Sequence, residues 1–193
     1  MEVDDLRVEG SLAGALQSAA GANEIRPTLV LWLRPADLRA IEAARSVLER
    51  AEQVFMSGTL GGMEQAPVPA AWKPKVLMAY PLALPEARER TSQGYRAWFK
   101  SHDIAVADEF LQSDTYLACA LLGSGVSELR DNLYRDYLVE QIEDVVERRP
   151  QLGLYPRIAL GPGQRVASKS GYIVRFVGPD SVAVVPVGER IVP

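Results

Sequence analysis

The sequence predicts an α/β fold, and two observations carry the prediction. Residues 28–33 form a nearly unbroken apolar run of strand length, and Val54-Phe55-Met56 forms a second, shorter run. Residues 36–50, between the two runs, have the spacing of an amphipathic helix. The order strand, helix, strand is typical of a βαβ unit with parallel strands. Unbroken apolar runs also indicate strands that are covered on both faces of the sheet.

The helix predicted over residues 36–50 has one apolar side and one charged side. A weaker helix, rich in alanine and leucine, is predicted over residues 11–22. The apolar stripe of residues 36–50 consists of Leu38, Ile41, Ala44, Val47 and Leu48. The charged side carries Arg39, Glu42, Arg45 and Glu49, at spacings that allow ion pairs along a helix. We therefore expect this helix to lie on the sheet with its apolar stripe buried.

The later elements follow from apolar runs and from the positions of proline. A third strand is predicted over residues 76–80, and Pro81 and Pro85 separate it from the next helix. Helices are predicted over residues 86–100, 108–122 and 126–149. Further strands, antiparallel or mixed, are predicted over residues 154–160, 172–177 and 182–187, where glycine and proline mark the loops.

Composition excludes several classes of function. The 193 residues, 48% of them apolar, are enough to bury a core. A net charge of −4 argues against binding to nucleic acid or to an anionic membrane, because both favour a clustered basic surface. One cysteine, Cys119, and one histidine, His102, exclude a disulfide framework, a cysteine-based zinc site and a histidine-rich metal site. We expect no cofactor and no metal.

The first residues and the apolar runs bear on location. The chain starts with an acidic segment where a secretory signal has basic residues, and no apolar segment follows. The apolar runs are far shorter than the roughly 20 residues of a membrane span. Taken at face value, these features predict a cytoplasmic protein. The alternative is an exported protein that lacks its beginning.

Candidate ligand-binding residues lie where the first two predicted strands end. In open parallel sheets, ligands bind at the carboxyl ends of the strands. Trp32 and Arg34 follow the first strand, and Ser57, Gly58 and Thr59 follow the second. Arg34 could bind a carboxylate, and the hydroxyls could hold a polar ligand. The alternative interpretations are an ordinary loop and a solvated charge.

Other segments that could be taken for phosphate-binding or catalytic sites have simpler structural interpretations. The glycine-rich segment over residues 160–171 lacks the spacing of a phosphate-binding loop, so a turn is predicted there. His102 is interpreted as a surface residue at a helix end, and Cys119 as a buried small apolar residue. An acidic helix face is interpreted as solvated; it consists of Glu140, Glu143, Asp144 and Glu147. None of these patterns predicts an enzyme, although a small hydrolase using Ser57 or Ser168 with His102 remains an alternative.

Four sequence strings together resemble a known family. They are TLVLWLRPADLRAIEAARSVLERAEQVFMSGTLGG, KVLMAYPLALPEA, DTYLACALL and YPRIALGPGQRVASKSGYIVRF. Their order over about residues 27–187 resembles the second half of type I periplasmic solute-binding proteins, of the leucine/isoleucine/valine-binding group that serves ABC transporters. The resemblance implies Rossmann-like three-layer lobes. Residues 1–78 would form part of the second lobe, residues 79–178 part of the first, and residues 179–193 a return towards the second.

The resemblance implies a binding protein that takes up a small polar solute, such as an amino acid or an organic acid, between two lobes. Its partners would be a membrane permease and an ATPase, and its location the periplasm. The ligand-facing position of the family falls on Arg34, and the position that is often acidic falls on Thr59, which favours an anionic or neutral ligand. Neither sheet would be complete as the family completes it, so we expect the chain to form homo-oligomers or to be poorly stable. A ligand-sensing regulatory domain on the same fold is the alternative.

Overall fold

The chain divides into two compact units. The computed structural model describes residues 11–21, 26–129, 134–148, 153–161, 163 and 166–192. The sheet unit comprises the described residues up to Tyr80 together with Tyr172–Arg190, and the helical unit comprises Pro81–Gly171 with the final residues from Ile191. The lobe boundaries that the resemblance implies, after residues 78 and 178, stay a prediction.

The sheet unit contains a five-stranded mixed sheet with the strand order β1-β2-β3-β4-β5. The strands are β1 (Thr28–Leu31), β2 (Gln53–Ser57), β3 (Val76–Tyr80), β4 (Tyr172–Phe176) and β5 (Val184–Pro186). The first three are parallel, while β4 pairs antiparallel with β3 and β5 antiparallel with β4. The predictions of an α/β fold, of parallel early strands and of a mixed later part are confirmed.

Short helices pack against this sheet and against one another. They are α1 (Leu12–Gly21), α2 (Pro35–Ala40), a 3₁₀ turn (Ile41–Ala44), α3 (Arg45–Arg50) and α4 (Gly58–Gly61). The predicted stripe is confirmed, since each of its five residues is at most 5% exposed. The single helix predicted over residues 36–50 is instead divided by the 3₁₀ turn. Lys75, which immediately precedes β3, connects the end of α3 to that strand. Its Nζ donates to the carbonyl oxygens of Leu48 at 2.8 Å and of Ala51 at 2.7 Å.

The expectation that the strands are covered on both faces is wrong. Val54, Met78 and Val174 point to one face and are almost fully buried. On the other face Val30 is 61% exposed, and Phe55 is only half-buried. Side chains alternate between the two faces of a strand, so an apolar run supplies two apolar faces whether or not both are covered.

Three long helices form most of the helical unit: α5 (Pro85–Ser101), α6 (Glu109–Glu128) and α7 (Arg135–Arg148). Asp108 caps α6 by accepting a hydrogen bond from the Leu111 amide at 3.0 Å. α6 and α7 pack closely at Gly125, where a Cβ atom would lie 2.7 Å from Cγ1 of Ile142. The predicted helices exist, but α6 runs six residues beyond residue 122, and the start predicted for α7 at residue 126 falls inside α6.

The strand predicted over residues 154–160 is not present as such. The described residues there form only an isolated antiparallel bridge, Ile158 to Ser168, and the amide of Ala159 donates to the carbonyl of Ala167 at 2.9 Å. Gly163 lies between them with φ +75°, a left-handed conformation that favours glycine. The chain thus returns on itself, and none of the described residues of this segment is helical, in agreement with the predicted turn. Pro162, Gln164 and Arg165 lie outside the described residues.

Among the described residues, no helix is both long and apolar enough to cross a membrane.

Candidate ligand-binding site

The register of β1 and β2 brings the predicted site residues to one edge of the sheet. Leu31 is the partner of Met56 in the parallel pairing, so Trp32 follows at the level of Ser57. Residues 32–34 and 57–59 therefore leave neighbouring strands at the same carboxyl edge. This is where ligands bind in open sheets of parallel strands.

The first strand contributes an exposed indole and a free cation. Trp32 is 70% exposed. Arg34 is exposed in extended backbone, with φ −82° and ψ 165°, immediately before α2. In the part of the chain that the structure describes, the Arg34 guanidinium has no ion-pair or hydrogen-bond partner. An unpaired guanidinium can form two parallel hydrogen bonds with a carboxylate.

The loop after β2 contributes two hydroxyls, one of which also caps a helix. Ser57 Oγ accepts a hydrogen bond from the Leu60 amide at 3.3 Å and so caps α4. Thr59 is exposed, and within the described residues its hydroxyl has no hydrogen-bond partner. The Ser57 hydroxyl can therefore still donate a hydrogen bond to a ligand, while the Thr59 hydroxyl is free both to donate and to accept.

Gly58 has a structural reason to be glycine. It is buried, and a Cβ atom at this position would lie 2.7 Å from the carbonyl oxygen of Ala79 and 3.0 Å from Sδ of Met78. The loop therefore crosses closely over β3, and any side chain would collide with backbone. This contact explains the residue without any ligand.

Sequence reasoning missed two residues beyond β2. Ser57 is the partner of Ala79 in the β2–β3 pairing, so Tyr80 ends β3 at the same edge. The Tyr80 hydroxyl donates to Oε2 of Glu64 at 2.9 Å. Both residues make further interactions. The edge thus holds a carboxylate, that of Glu64, as well as Arg34. The sequence signal for Tyr80 was its position as the last residue of a predicted strand.

His102 is engaged locally. It ends α5, and its Nδ1 lies 2.9 Å from the carbonyl oxygen of Trp98 and 3.0 Å from Ser101 Oγ. Its ring stacks on that of Trp98, with 4.2 Å between centroids. The prediction of an exposed histidine at a helix end is confirmed. Neither Ser57 nor Ser168 is a hydrogen-bond partner of this ring within the described chain.

The interpretation of Cys119 as a buried residue is wrong, since the residue is exposed on α6. Apolar residues occur all round this helix, so periodicity could not tell the packed side from the exposed side.

The acidic face of α7 is mostly exposed, as predicted, but Glu143 is half-buried. Glu140, Asp144 and Glu147 are exposed, and Asp144 pairs with Arg148 one turn later. Over the ranges that the structure describes, no three metal-ligating side chains come together.

An ion-pair cluster joins α5 to α6. Arg96 Nε donates to Glu109 Oε1 at 2.8 Å, and the Tyr95 hydroxyl donates to the same oxygen. Burial, together with this hydrogen bond, raises the pKa of Tyr95 to about 12. Burial of Glu109 opposes ionisation, but the hydrogen bonds from Tyr95 and Arg96 prevail and lower its pKa. The cluster is fully partnered and serves to hold the two helices together.

The described residues of the helical unit line cavities on two sides of α6. One of about 620 Å³ lies between α5 and α6 and is walled by Trp98, Phe99 and Tyr116. The other, of about 370 Å³, lies on another side of α6 beside Tyr155. The Tyr155 hydroxyl donates to Asp114 at 3.0 Å, and burial with this bond raises the pKa of Tyr155 to about 12.

Comparison of the chain with protein-family models, with curated proteins and with solved structures finds no match in any of the three. The resemblance drawn from the sequence therefore stays a prediction.

Proposed function

We propose that the protein binds a small polar organic solute at the carboxyl ends of β1 and β2 and performs no chemistry on it. The observation that carries the proposal is the unpaired, exposed guanidinium of Arg34, two residues after the exposed indole of Trp32. A cation for a charged group and an aromatic surface for an apolar part are a common basis for recognising small acids. The free hydroxyl of Thr59 on the neighbouring loop adds a polar contact.

The wider role belongs to the same proposal. The fold would be that of the type I periplasmic solute-binding proteins, with Rossmann-like three-layer lobes. The solute would pass to an ABC permease and its ATPase from the periplasm. Two observations support this: the parallel order of β1, β2 and β3, and the departure of the chain from the sheet unit after Tyr80, where the resemblance places a crossing between lobes.

Carboxylates without an amino group fit the edge better than amino acids do. Arg34 offers a partner for the carboxylate of the ligand. Thr59 occupies the position at which the solute-binding family often has an acidic residue that binds the amino group of an amino acid. Glu64, the acid at this edge, already accepts a hydrogen bond from Tyr80. We therefore propose an organic acid with an apolar or aromatic part as the ligand class.

Isothermal titration with 4-methylpentanoate and with leucine tests the ligand class, because the two molecules differ by the amino group. We expect 4-methylpentanoate to bind at least about tenfold more tightly, since one unsatisfied charged group costs on the order of 1.4 kcal/mol or more. Equal affinities would contradict the proposal, and so would the absence of saturable binding by both compounds.

Arg34→Gln, with Arg39→Gln as its matched control, locates the site. Arg39 is an exposed arginine in the adjacent helix α2. We expect Arg34→Gln to weaken carboxylate binding about tenfold or more and Arg39→Gln to leave it unchanged. An equal effect of the two substitutions would show that the anion is held by general charge and not by this edge.

A further inference from the structure

Helix α6 presents an uncovered apolar stripe. This surface, named here the α6 stripe, consists of six exposed residues: Leu111, Thr115, Ala118, Cys119, Leu122 and Val126. Leu111 is 66% exposed and Leu122 is 49% exposed. At about 100° per residue the six side chains cover an arc of about 100°, which is the width of a helix face that is normally buried.

The other sides of α6 already have partners within the helical unit. Gly125 packs against Ile142 of α7. Leu117 packs against Gly153, and a Cβ atom added at Gly153 would lie 3.0 Å from Cδ2 of Leu117. Tyr116 contacts the aromatic rings of α5, with 5.5 Å between its centroid and that of Trp98. The stripe lies between these packed sides, so the described part of the helical unit leaves it open.

The stripe is free of charge. None of the six residues of the stripe is charged. Asp114 borders the stripe, one helical turn from Leu111 and from Ala118, and its carboxylate accepts a hydrogen bond from Tyr155. A charged partner would therefore gain no ion pair from the stripe itself. A surface that is equally apolar and uncharged would meet no repulsion, and the stripe itself is such a surface.

The sizes of the side chains along the α6 stripe are complementary to those of the same stripe read in the opposite direction. If two copies of α6 lie antiparallel and cross at the midpoint of the helix, Leu111 faces Val126, Thr115 faces Leu122, and Ala118 faces Cys119. The small residues at the centre allow close approach, while the larger ones fill the ends. We propose that α6 packs antiparallel against α6 of a second copy of this chain, in a contact with two-fold symmetry.

The cavity between α5 and α6 borders this contact. Leu111, Thr115 and Cys119 belong both to the stripe and to the wall of the cavity. Its roughly 620 Å³ can accept side chains that project from the second helix. One occupant thus accounts for the open stripe and for the open cavity.

The contact is small. A helix of 20 residues is about 30 Å long, and one such helix pair buries much less than the roughly 800 Å² per partner of a standard stable interface. The dimer is therefore weak and depends on protein concentration.

Cys119 reports on the proposed contact. It is the single cysteine of the chain. Two helices whose axes lie 8–10 Å apart would place the two Cys119 Cα atoms about 5–7 Å from each other, because each lies about 50° from the middle of the stripe. That separation allows a disulfide with little movement.

Oxidation with diamide tests the contact. Two thiols lose their hydrogens to diamide, which becomes the hydrazine, and a disulfide joins the two chains. We expect disulfide dimers to form at least tenfold faster than in the control Cys119→Ser/Glu147→Cys, whose cysteine is exposed on α7. Equal rates would overturn the proposal, since they would reflect random collisions.

A second measurement tests the register. In the Cys119→Ser background, Leu111→Cys should cross-link with Val126→Cys in a mixture but not with itself, because the two copies of residue 111 would be about 22 Å apart. Sedimentation equilibrium should show that Leu122→Glu abolishes dimers and that Val139→Glu, similarly exposed at 46% on α7, does not. Self-cross-linking of Leu111→Cys, or a monomer at every concentration, would overturn the proposal.

Discussion

At the scale of single residues, Gly58 shows how packing and ligand binding can look alike in a sequence. It was a candidate ligand-binding residue because it follows a strand and lies beside two hydroxyls. In the structure, Gly58 is the point at which the loop after β2 crosses β3. A Cβ atom added at Gly58 would lie 2.7 Å from the carbonyl oxygen of Ala79. Trp32 and Arg34, in contrast, are exposed at the same edge and have no such structural role.

Gly58→Ala should lower the free energy of unfolding by about 1–3 kcal/mol, because the added methyl group meets backbone that cannot move aside. Urea unfolding followed by circular dichroism measures the change. Gly94→Ala is the matched control. Gly94 lies within α5, and beyond the neighbouring backbone of its own helix no atom lies within 4 Å of an added Cβ, so alanine there should stabilise by about 0.5–1 kcal/mol. A Gly58→Ala protein as stable as the parent would contradict the close crossing.

At the scale of elements, the pairing of α5 with α6 depends on a polar cluster as well as on aromatic packing. Arg96 binds Glu109 of the next helix and Glu89 of its own helix, the latter at 2.9 Å. The Arg96 and Glu109 side chains are 41% and 38% exposed, so solvent screens their attraction. The cluster is therefore a modest clamp that adds to the ring contacts of Tyr95, Phe99 and Tyr116.

Arg96→Gln should destabilise the protein at neutral pH by about 0.5–1 kcal/mol, and the difference from the parent should disappear in acid. The folded state lowers the pKa of Glu109, so the stabilisation is fully present above the ordinary glutamate pKa of about 4.3 and is lost as the pH falls through the lower folded value. Urea unfolding between pH 7 and pH 2.5 measures this.

Arg45→Gln is the control for this pH series. Its partner Glu49 lies 3.9 Å away on the same helix surface, and both side chains are mostly exposed. We expect at most about 0.5 kcal/mol from this pair at neutral pH. A difference for Arg96→Gln that stays constant down to pH 2.5 would show that the residue acts by packing alone.

At the scale of the whole molecule, the sheet unit is built from two distant parts of the chain. Residues up to Tyr80 supply β1, β2 and β3, and Tyr172–Arg190 supplies β4 and β5. Val174 of β4 is fully buried beside Met78 of β3, and Lys73 donates to the Ser181 carbonyl at 2.9 Å. The core of this unit therefore depends on residues that arrive more than 90 positions later.

A fragment of residues 1–81 should accordingly lack a cooperative thermal transition, because one edge of β3 and the contacts of Met78 are left open. Adding a peptide of residues 170–190 should restore the transition, followed by circular dichroism. The same peptide with Val174→Asp should not restore it, since a charge would enter the core. A cooperative transition of the fragment by itself would contradict the prediction.

The sequence by itself determined the elements whose information is local. Apolar runs located β1, β2 and β3, a stripe of period 3.6 defined the buried side of residues 36–50, and the end of each strand pointed to Trp32, Arg34 and Thr59. Composition excluded the sites built on several cysteines or histidines.

Only the tertiary structure decided what depends on distant partners. It placed β4 against β3, buried one face of the sheet and left the other partly exposed, joined Tyr80 to Glu64, made Gly58 a packing residue and left Cys119 exposed. The physical reason is the same in each case. Periodicity reports that a face is apolar, but which atoms cover that face depends on segments far along the chain that no local pattern encodes.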